Sequence, residues 1–420
     1  RLHTGANRFA ELLAILERKR PLVVDGERLR ELLFKRAYLI EEELKDAERA
    51  IGAWRDLLDV APADGQALRA LDGLYQARGA TRELAEILER EIAAAATEDT
   101  AAICELKMRL GRARASALDD RRGALECFRD ALELDPVHEG ARAALEPYLD
   151  YSELQVDAAR VLEPIYRAAG DMEKLVGTLE VRADHESDPV AAVEILQEIA
   201  RAWAGPLAEP SQAFSAWERA LRLDPGSADV LASLDGLAAV DENRAVALAA
   251  LLEEILALGS SLDRAVRREL LVRAAAVHED RLGDAAAAVG AWRRALDLDP
   301  SDETALAALE RIYTAAEAWS DLLEIYQHRI ADESDAARRQ ELHFRTARIH
   351  DEMLADADGA IAAYRAILAD DDANLRALRA LDRILVAAGR DHDLADVLGR
   401  EIALAEAAGQ PAERAPLLVR

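Results

Sequence analysis

The sequence predicts an all-α protein, a solenoid of stacked helical hairpins, and three observations carry that prediction. The first is a long internal repeat. Five segments align on an aromatic: AIGAWRDLLDVAP at Trp54, ALECFRDALELDP at Phe128, AFSAWERALRLDP at Trp217, AVGAWRRALDLDP at Trp292 and AIAAYRAILADDD at Tyr364. Successive aromatics are seventy-four, eighty-nine, seventy-five and seventy-two positions apart. A fixed period of this length means units that complete their cores only against their neighbours. The second is composition: 51% of residues are hydrophobic but only 4% aromatic, and a core made mostly of Ala and Leu suits closely packed helices. The third is the lack of strand signals, since no run of alternating β-branched residues occurs.

Each repeat reads as four helices. Seventeen residues before the aromatic stands a small residue, Ala37, Gly111, Ala200, Ala275 or Ala347. Four before it stands Ala50, Ala124, Ala213, Ala288 or Ala360, and three after it Leu57, Ala131, Ala220, Ala295 or Ile367. Two helices that cross closely need small residues at the crossing and one large knob beside them. Proline eight residues after the aromatic (Pro62, Pro136, Pro225, Pro300; Asp372 in the last copy) ends the second helix, because it has no N–H for the ladder. A third helix follows from stripes at Leu68, Leu71, Leu74; Leu231, Leu234, Leu237; Leu306, Leu309, Ile312; and Leu378, Leu381, Ile384. In the second copy Arg142 breaks the first place, while Leu145 and Tyr148 keep the others. TRELAEILEREI and AWSDLLEIYQHRI show a fourth helix.

On these residues the first hairpin resembles a tetratricopeptide repeat, a 34-residue helix–turn–helix. Ala275, Ala288, Trp292, Ala295 and Pro300 match that family's pattern in order, with a loop one residue longer. The second hairpin lacks the Ala–aromatic–Ala set and reads as a degenerate, tetratricopeptide-like hairpin. The resemblance covers nearly the whole chain and is greatest to the long arrays of high-GC bacteria such as myxobacteria; only 5 of the 53 basic residues are Lys. It implies a right-handed superhelical α-solenoid of about 21 or 22 helices, continuous over 1–420, with repeats near 28–100, 101–189, 190–264, 265–336 and 337–410. Residues 1–27 read as the end of a preceding repeat and 411–420 as the start of another, so the chain is expected to be an interior piece of a longer protein.

The longest interval, between Phe128 and Trp217, carries extra residues around 146 to 167, where Glu146–Pro147–Tyr148 and Glu163–Pro164–Ile165–Tyr166 resemble each other. An added or lengthened helix is expected there, with a local change of pitch, either as a recognition element or as a tolerated insertion. ADHESDPV (183 to 190) reads as an inter-helix loop.

Net charge is −28. That argues against a nucleic-acid binder, which needs a basic face, and against anionic membrane surfaces. No apolar stretch approaches the roughly 20 residues of a membrane helix. The charge suits a soluble chain, cytoplasmic or periplasmic, with a basic partner; alternatively the acids are solvated faces and helix first turns. Cys104 and Cys127 are too few for a disulfide scaffold and read as small buried residues.

No catalytic constellation, metal site or cofactor motif emerges. His278 and His350 both stand fourteen places before the aromatic, a slot that holds Ile40, Arg114 and Trp203 elsewhere, and so read as packing residues. His343 and His350 are two helical turns apart, about 10 Å, too far to share a metal. Asp391–His392–Asp393 reads as a loop or first-turn cluster.

One ladder remains. Twenty-three residues before each aromatic stands a glutamate, Glu31, Glu105, Glu194, Glu269 or Glu341. Three residues on come Phe34, Met108, Gln197, Val272 and Phe344, and seven on Tyr38, Arg112, Arg201, Ala276 and Arg348. The tetratricopeptide resemblance implies that these places face a concave groove where peptides lie. The alternative is that the glutamates sit in a helix's first turn and serve its macrodipole. For Phe34 and Phe344, groove contact and packing between repeats are both open. The function expected is a non-enzymatic protein- or peptide-binding scaffold within a multiprotein assembly; the alternative is a ligand-sensing array attached to an effector domain elsewhere.

Overall fold

The computed structural model describes residues 8–407, which fall into two compact units parting between Leu223 and Asp224. Among the described residues there are 22 α-helices and no strand. The tail AERAPLLVR lies outside them.

The first unit opens with the helix Phe9–Lys19. The first repeat follows as Gly26–Tyr38, Ala47–Val60, Gly65–Arg78 and Thr81–Ala94. The second has Thr100–Ala117 and Arg121–Leu134, a short helix Glu139–Leu145 with a 3-10 turn Glu146–Asp150, then Gln155–Ala169 and Met172–His185. Pro189–Ala204 and Pro210–Leu223 close the unit. The second unit begins with Ala228–Ala238 and Glu242–Leu256. It continues with Arg264–Asp280, Ala285–Leu298, Glu303–Ala315 and Trp319–Asp332, then Ala336–Arg348, Ala357–Asp370, Leu375–Ala388 and Asp391–Ala407. Within each unit, helices adjacent in sequence pack against each other.

The small-residue slots form the crossing of the first and second helices. Ala50, Ala124, Ala213, Ala288 and Ala360 have no exposed surface, nor have the residues three after the aromatic. Trp54, Phe128, Trp217, Trp292 and Tyr364 are all buried, 2 to 7% exposed. At Gly111 the approach is closest, since a Cβ there would stand 2.5 Å from the Phe128 ring.

The joint between first and second helices is built alike five times. The residue nine before the aromatic is left-handed: Lys45 (φ 52°), Asp119 (52°), Ala208 (54°), Gly283 (65°) and Ala355 (52°). Only one is glycine, although the conformation is strained for a residue with a Cβ. The next residue donates its N–H across the joint to the carbonyl fourteen before the aromatic: Asp46 to Ile40 (3.3 Å), Asp120 to Arg114 (3.0 Å), Glu209 to Trp203 (2.8 Å), Asp284 to His278 (2.9 Å) and Asp356 to His350 (2.7 Å). Asp46, Asp120, Asp284 and Asp356 then cap the second helix, accepting from Arg49, Gly123, Ala287 and Gly359 at 2.9 to 3.1 Å.

The added segment lies earlier than the sequence suggests. Gln155–Ala169 is the third helix of its repeat. Leu162 and Tyr166 are buried where Leu71 and Tyr75, and Leu309 and Tyr313, are buried in other copies. The left-handed Gly170 joins it to the fourth helix as Gly79 and Gly389 do. The insertion is therefore 139–150, and Leu145 and Tyr148 pack within it.

Cys104 and Cys127 are buried and free, and burial pushes both thiols up. His278 and His350 are half-buried; the His350 ring meets the Asp356 carboxylate at 2.9 Å. Asp391 and Asp393 stand in a helix's first turn, and Asp393 pairs with Arg365 and Arg390 at 2.8 and 2.7 Å.

Two outcomes test this packing. Trp292→Ala should lower the stability of its unit by roughly 3–5 kcal/mol in chemical unfolding. Ala355→Gly should raise stability by about 0.5–1 kcal/mol and Gly283→Ala lower it by about 1 kcal/mol, because only the left-handed joint distinguishes these changes.

Candidate functional site

The first helices all begin one turn earlier than the glutamate ladder. Asp25, Asp99, Asp188, Asp263 and Asp335, each six places before its ladder glutamate, cap them by accepting backbone N–H bonds of 2.7 to 3.2 Å. The ladder glutamates thus lie beyond the first turn, and the macrodipole reading is wrong for them. All five are exposed. Three have a basic neighbour one turn on: Glu31–Lys35 at 3.6 Å, Glu269–Arg273 at 2.8 Å and Glu341–Arg345 at 3.7 Å.

Arginines at that place also reach back to the preceding repeat. Arg109 grips Asp72 at 2.5 and 2.7 Å, Arg273 binds Asp235, and Arg345 binds Glu310 at 2.6 Å. Each stands four places past its ladder glutamate and meets an acid on the previous repeat's third helix. In the third repeat the charges are exchanged: Glu198 accepts from Arg167 at 2.8 Å. A second pair appears where the third helix starts on aspartate. Buried Asp64 and Asp302 cap that helix and bind Arg30 (2.8 Å) and Arg268 (2.5 and 2.9 Å). Where the third helix starts on Asn374 instead, Gln340 stands in the arginine's place, and His138, which caps the inserted helix Glu139–Leu145, has Cys104 at the equivalent place.

The Arg268 guanidinium and the backbone N–H groups of Ala305 and Thr304 hold the Asp302 carboxyl below the usual range, against the cost of burial. Burial raises Asp64, but the N–H groups of Ala67 and Gln66 and the Arg30 guanidinium outweigh it and leave its carboxyl low.

Two open clefts lie on first-helix faces that carry the ladder. One, about 510 Å³, lies in the first unit between Phe9, Leu12 and Leu16 on one wall and Phe34, Lys35, Tyr38, Leu39 and Glu43 on the other. Phe34 stacks on Tyr38 at 6.2 Å and meets Trp54 edge-on at 5.4 Å; Tyr38 is 51% exposed. The other, about 360 Å³, lies in the second unit between Asp235 and Ala238 and the face Glu269, Val272, Arg273, Ala276, Val277. The two clefts use equivalent places of the first helix. The other ladder residues do not assemble into such a cleft. Met108 is fully buried, its methyl beside Gly140 of the added helix. Phe344 is buried against Tyr364 at 6.1 Å, and Arg376 lies 4.0 Å over its face. Neither is a surface contact: this corrects the groove expectation for Met108, and of the two readings left open for Phe344 it favours packing over groove contact. Arg112 and Glu105 are exposed. Gln197 accepts from Arg201 at 2.7 Å, with Glu194 exposed nearby in sequence, and Arg348 pairs with Glu352 at 3.2 Å.

A third cleft, about 660 Å³, opens beside the insertion, lined among others by Leu132, Val137, Val161, Pro164 and Ile165. The sequence points to Val161, Pro164 and Ile165 through the segment 146 to 167 and its paired Glu-Pro motifs, but not to Leu132 or Val137.

Among the described residues no helix is long and apolar enough to cross a membrane, and no group of three or more His, Cys, Asp or Glu side chains is placed to hold a metal ion.

A family model described as tetratricopeptide repeat matches residues 305–338, and the chain is tetratricopeptide-like. The match falls on the third and fourth helices of its repeat, the hairpin that the sequence marks as degenerate. That hairpin joins Glu303–Ala315 to Trp319–Asp332 through three residues, without the extra residue of the first hairpin's loop. No curated protein matches. Among solved structures, the chain aligns with that of Naa15/Naa10 bound to HypK-THB, with 16% identity over 96% of this chain and TM-score 0.26, and spans 62% of that chain's length. It aligns with a human IFIT1 dimer with m7Gppp-AAAA at 14% identity, over 99% of this chain and 94% of that one, TM-score 0.25. It also aligns with YrrB, a TPR protein with an unusual peptide-binding site, at 15% identity, over 54% and 96%, TM-score 0.22. No residue role is carried over from these structures.

Asp302→Ala should cost roughly 1–2 kcal/mol in urea unfolding, and Asp302→Asn less, since asparagine keeps the cap and loses only the ion pair. The depressed carboxyls of Asp64 and Asp302 contribute stability that is complete above the ordinary aspartate range and is lost as pH falls through their folded values. The urea midpoint should therefore drop below about pH 4, and drop less steeply in Asp302→Asn.

Proposed function

We propose that this chain is a non-enzymatic scaffold that binds a protein or peptide segment along first-helix faces carrying the glutamate ladder, as part of a multiprotein assembly. The observation that carries this reading is the pair of clefts at equivalent places of two repeats, one around Phe34 and Tyr38 and one around Glu269 and Val272. Each cleft, open along a helix face, suits an extended segment such as a peptide strand or helix. Phe34 and Tyr38 would take apolar side chains. Glu269 and Glu341 would take Arg or Lys of the partner, beside Arg273 and Arg345, which stay held by Asp235 and Glu310 of the preceding repeat. Exposed ion pairs contribute about 0–1 kcal/mol each, so affinity would come from several acting together with the apolar contacts.

A fluorescein-labelled basic peptide, KKLLKFLKKL, tests this by anisotropy. Saturable binding is expected, weaker in 1 M salt than in 0.1 M because the Debye length falls from about 10 to about 3 Å. Glu269→Gln with Glu341→Gln should lower the affinity at unchanged helical content. An affinity indifferent to both changes would contradict a ligand on this face.

A further inference from the structure

We propose that the cleft beside the insertion docks an acidic, apolar segment of a partner protein. The proposal rests on the reading of the chain as a scaffold but assigns a different surface and the opposite charge preference. The cleft separates the second helix Arg121–Leu134 from the helix Gln155–Ala169, and its volume of about 660 Å³ falls within the usual range for ligand sites, on the order of 300–1,000 Å³. Its floor is apolar, from Leu132, Val161, Pro164 and Ile165. Val137 stands on its rim 82% exposed, a large apolar side chain left in water next to an apolar hollow. A cleft open on this scale suits a side-chain row of a macromolecule better than an enclosed small molecule.

The charge at the cleft runs against the rest of the chain. Arg129, Arg142 and Arg160 line it together with Glu133 and Glu139, and Glu146 and Glu186 lie within electrostatic reach of Arg142 and Arg160, so the cleft has a local basic excess only at its lining, in a chain whose net charge is −28. Arg129 is engaged by Asp130 at 2.8 Å and Glu133 at 3.6 Å. The guanidinium groups of Arg142 and Arg160 make no hydrogen bond or close ion pair among the described residues, although the Arg142 backbone N–H donates to the His138 carbonyl at 3.2 Å. Pro164 adds to this wall: it has no N–H for the carbonyl of Arg160. Two guanidinium groups beside an apolar floor complement carboxylates that alternate with apolar side chains, because an arginine fork accommodates a carboxylate bidentately. The insertion 139–150 brings Arg142 to this cleft, and the other repeats lack it.

The test is anisotropy with the fluorescein-labelled peptide EDLLEFLDEL on the full chain near 0.15 M salt, where the Debye length of about 8 Å leaves local arginines dominant over distant acids. Saturable binding is expected, with the neutral counterpart QNLLQFLNQL about tenfold weaker. Arg142→Glu with Arg160→Glu should weaken the acidic peptide by at least about tenfold. Arg160→Glu alone, at an exposed position, should weaken it in the same direction. Glu269→Gln with Glu341→Gln should leave it unchanged. Absence of saturable binding, equal binding of the neutral peptide, or indifference to the arginine changes would overturn the proposal. Loss of binding in the glutamate variant would overturn it too, by moving the peptide to the ladder face, and would leave the scaffold reading standing.

Discussion

The close crossing of the first and second helices in each repeat is the constraint on which the rest depends. Alanines without exposed surface at the crossing let the backbones approach, and the aromatic fills the space beside them. Gly111 shows how little slack there is: where Phe128 sits closest, even a methyl would collide. The crossing in turn dictates the joint. To bring the second helix back at this distance the chain takes one left-handed residue, and Lys45, Asp119, Ala208 and Ala355 accept that conformation despite a Cβ. The backbone bond that spans the joint, and the aspartate cap beyond it, offset what the strained residue costs.

The acidic composition follows from the same architecture. Most of the helices among the described residues start on an aspartate whose side chain accepts a backbone N–H. A cap is needed at every short helix, and a solenoid of short helices needs many. A further share of the acids faces arginines between repeats, as in Arg109–Asp72 and Arg345–Glu310. On the proposed function, what a partner meets is local: the exposed glutamates of the first helices, and an arginine-lined cleft where the repeat is interrupted.

The crossing is legible in the sequence because it is built from identities at fixed spacing, and Ala288, Trp292 and Ala295 need no context to be read. The caps are equally regular, at Asp25, Asp99, Asp188, Asp263 and Asp335, but an aspartate at a helix start resembles any other surface acid until the start is located. Counting the third helix at a fixed distance from the aromatic misplaces the insertion. LEPIYRAAG beside LDGLYQARG and LERIYTAAE marks that helix directly. Burial of Met108 and Phe344 is hidden for a different reason. It depends on what covers them, the added helix near Gly140 in one case and Arg376 in the other, and neither follows from helical periodicity.

The most direct test of this account is amide hydrogen exchange at the five joints. The N–H groups of Asp46, Asp120, Glu209, Asp284 and Asp356 lie in loops but each donates across its joint to the first helix. If the crossing and its joint form one repeated unit, all five should be protected like the helix interiors beside them, and opening should require separation of the two helices. Exchange at the rate of free loop amides at these positions, with the helices still protected, would contradict it.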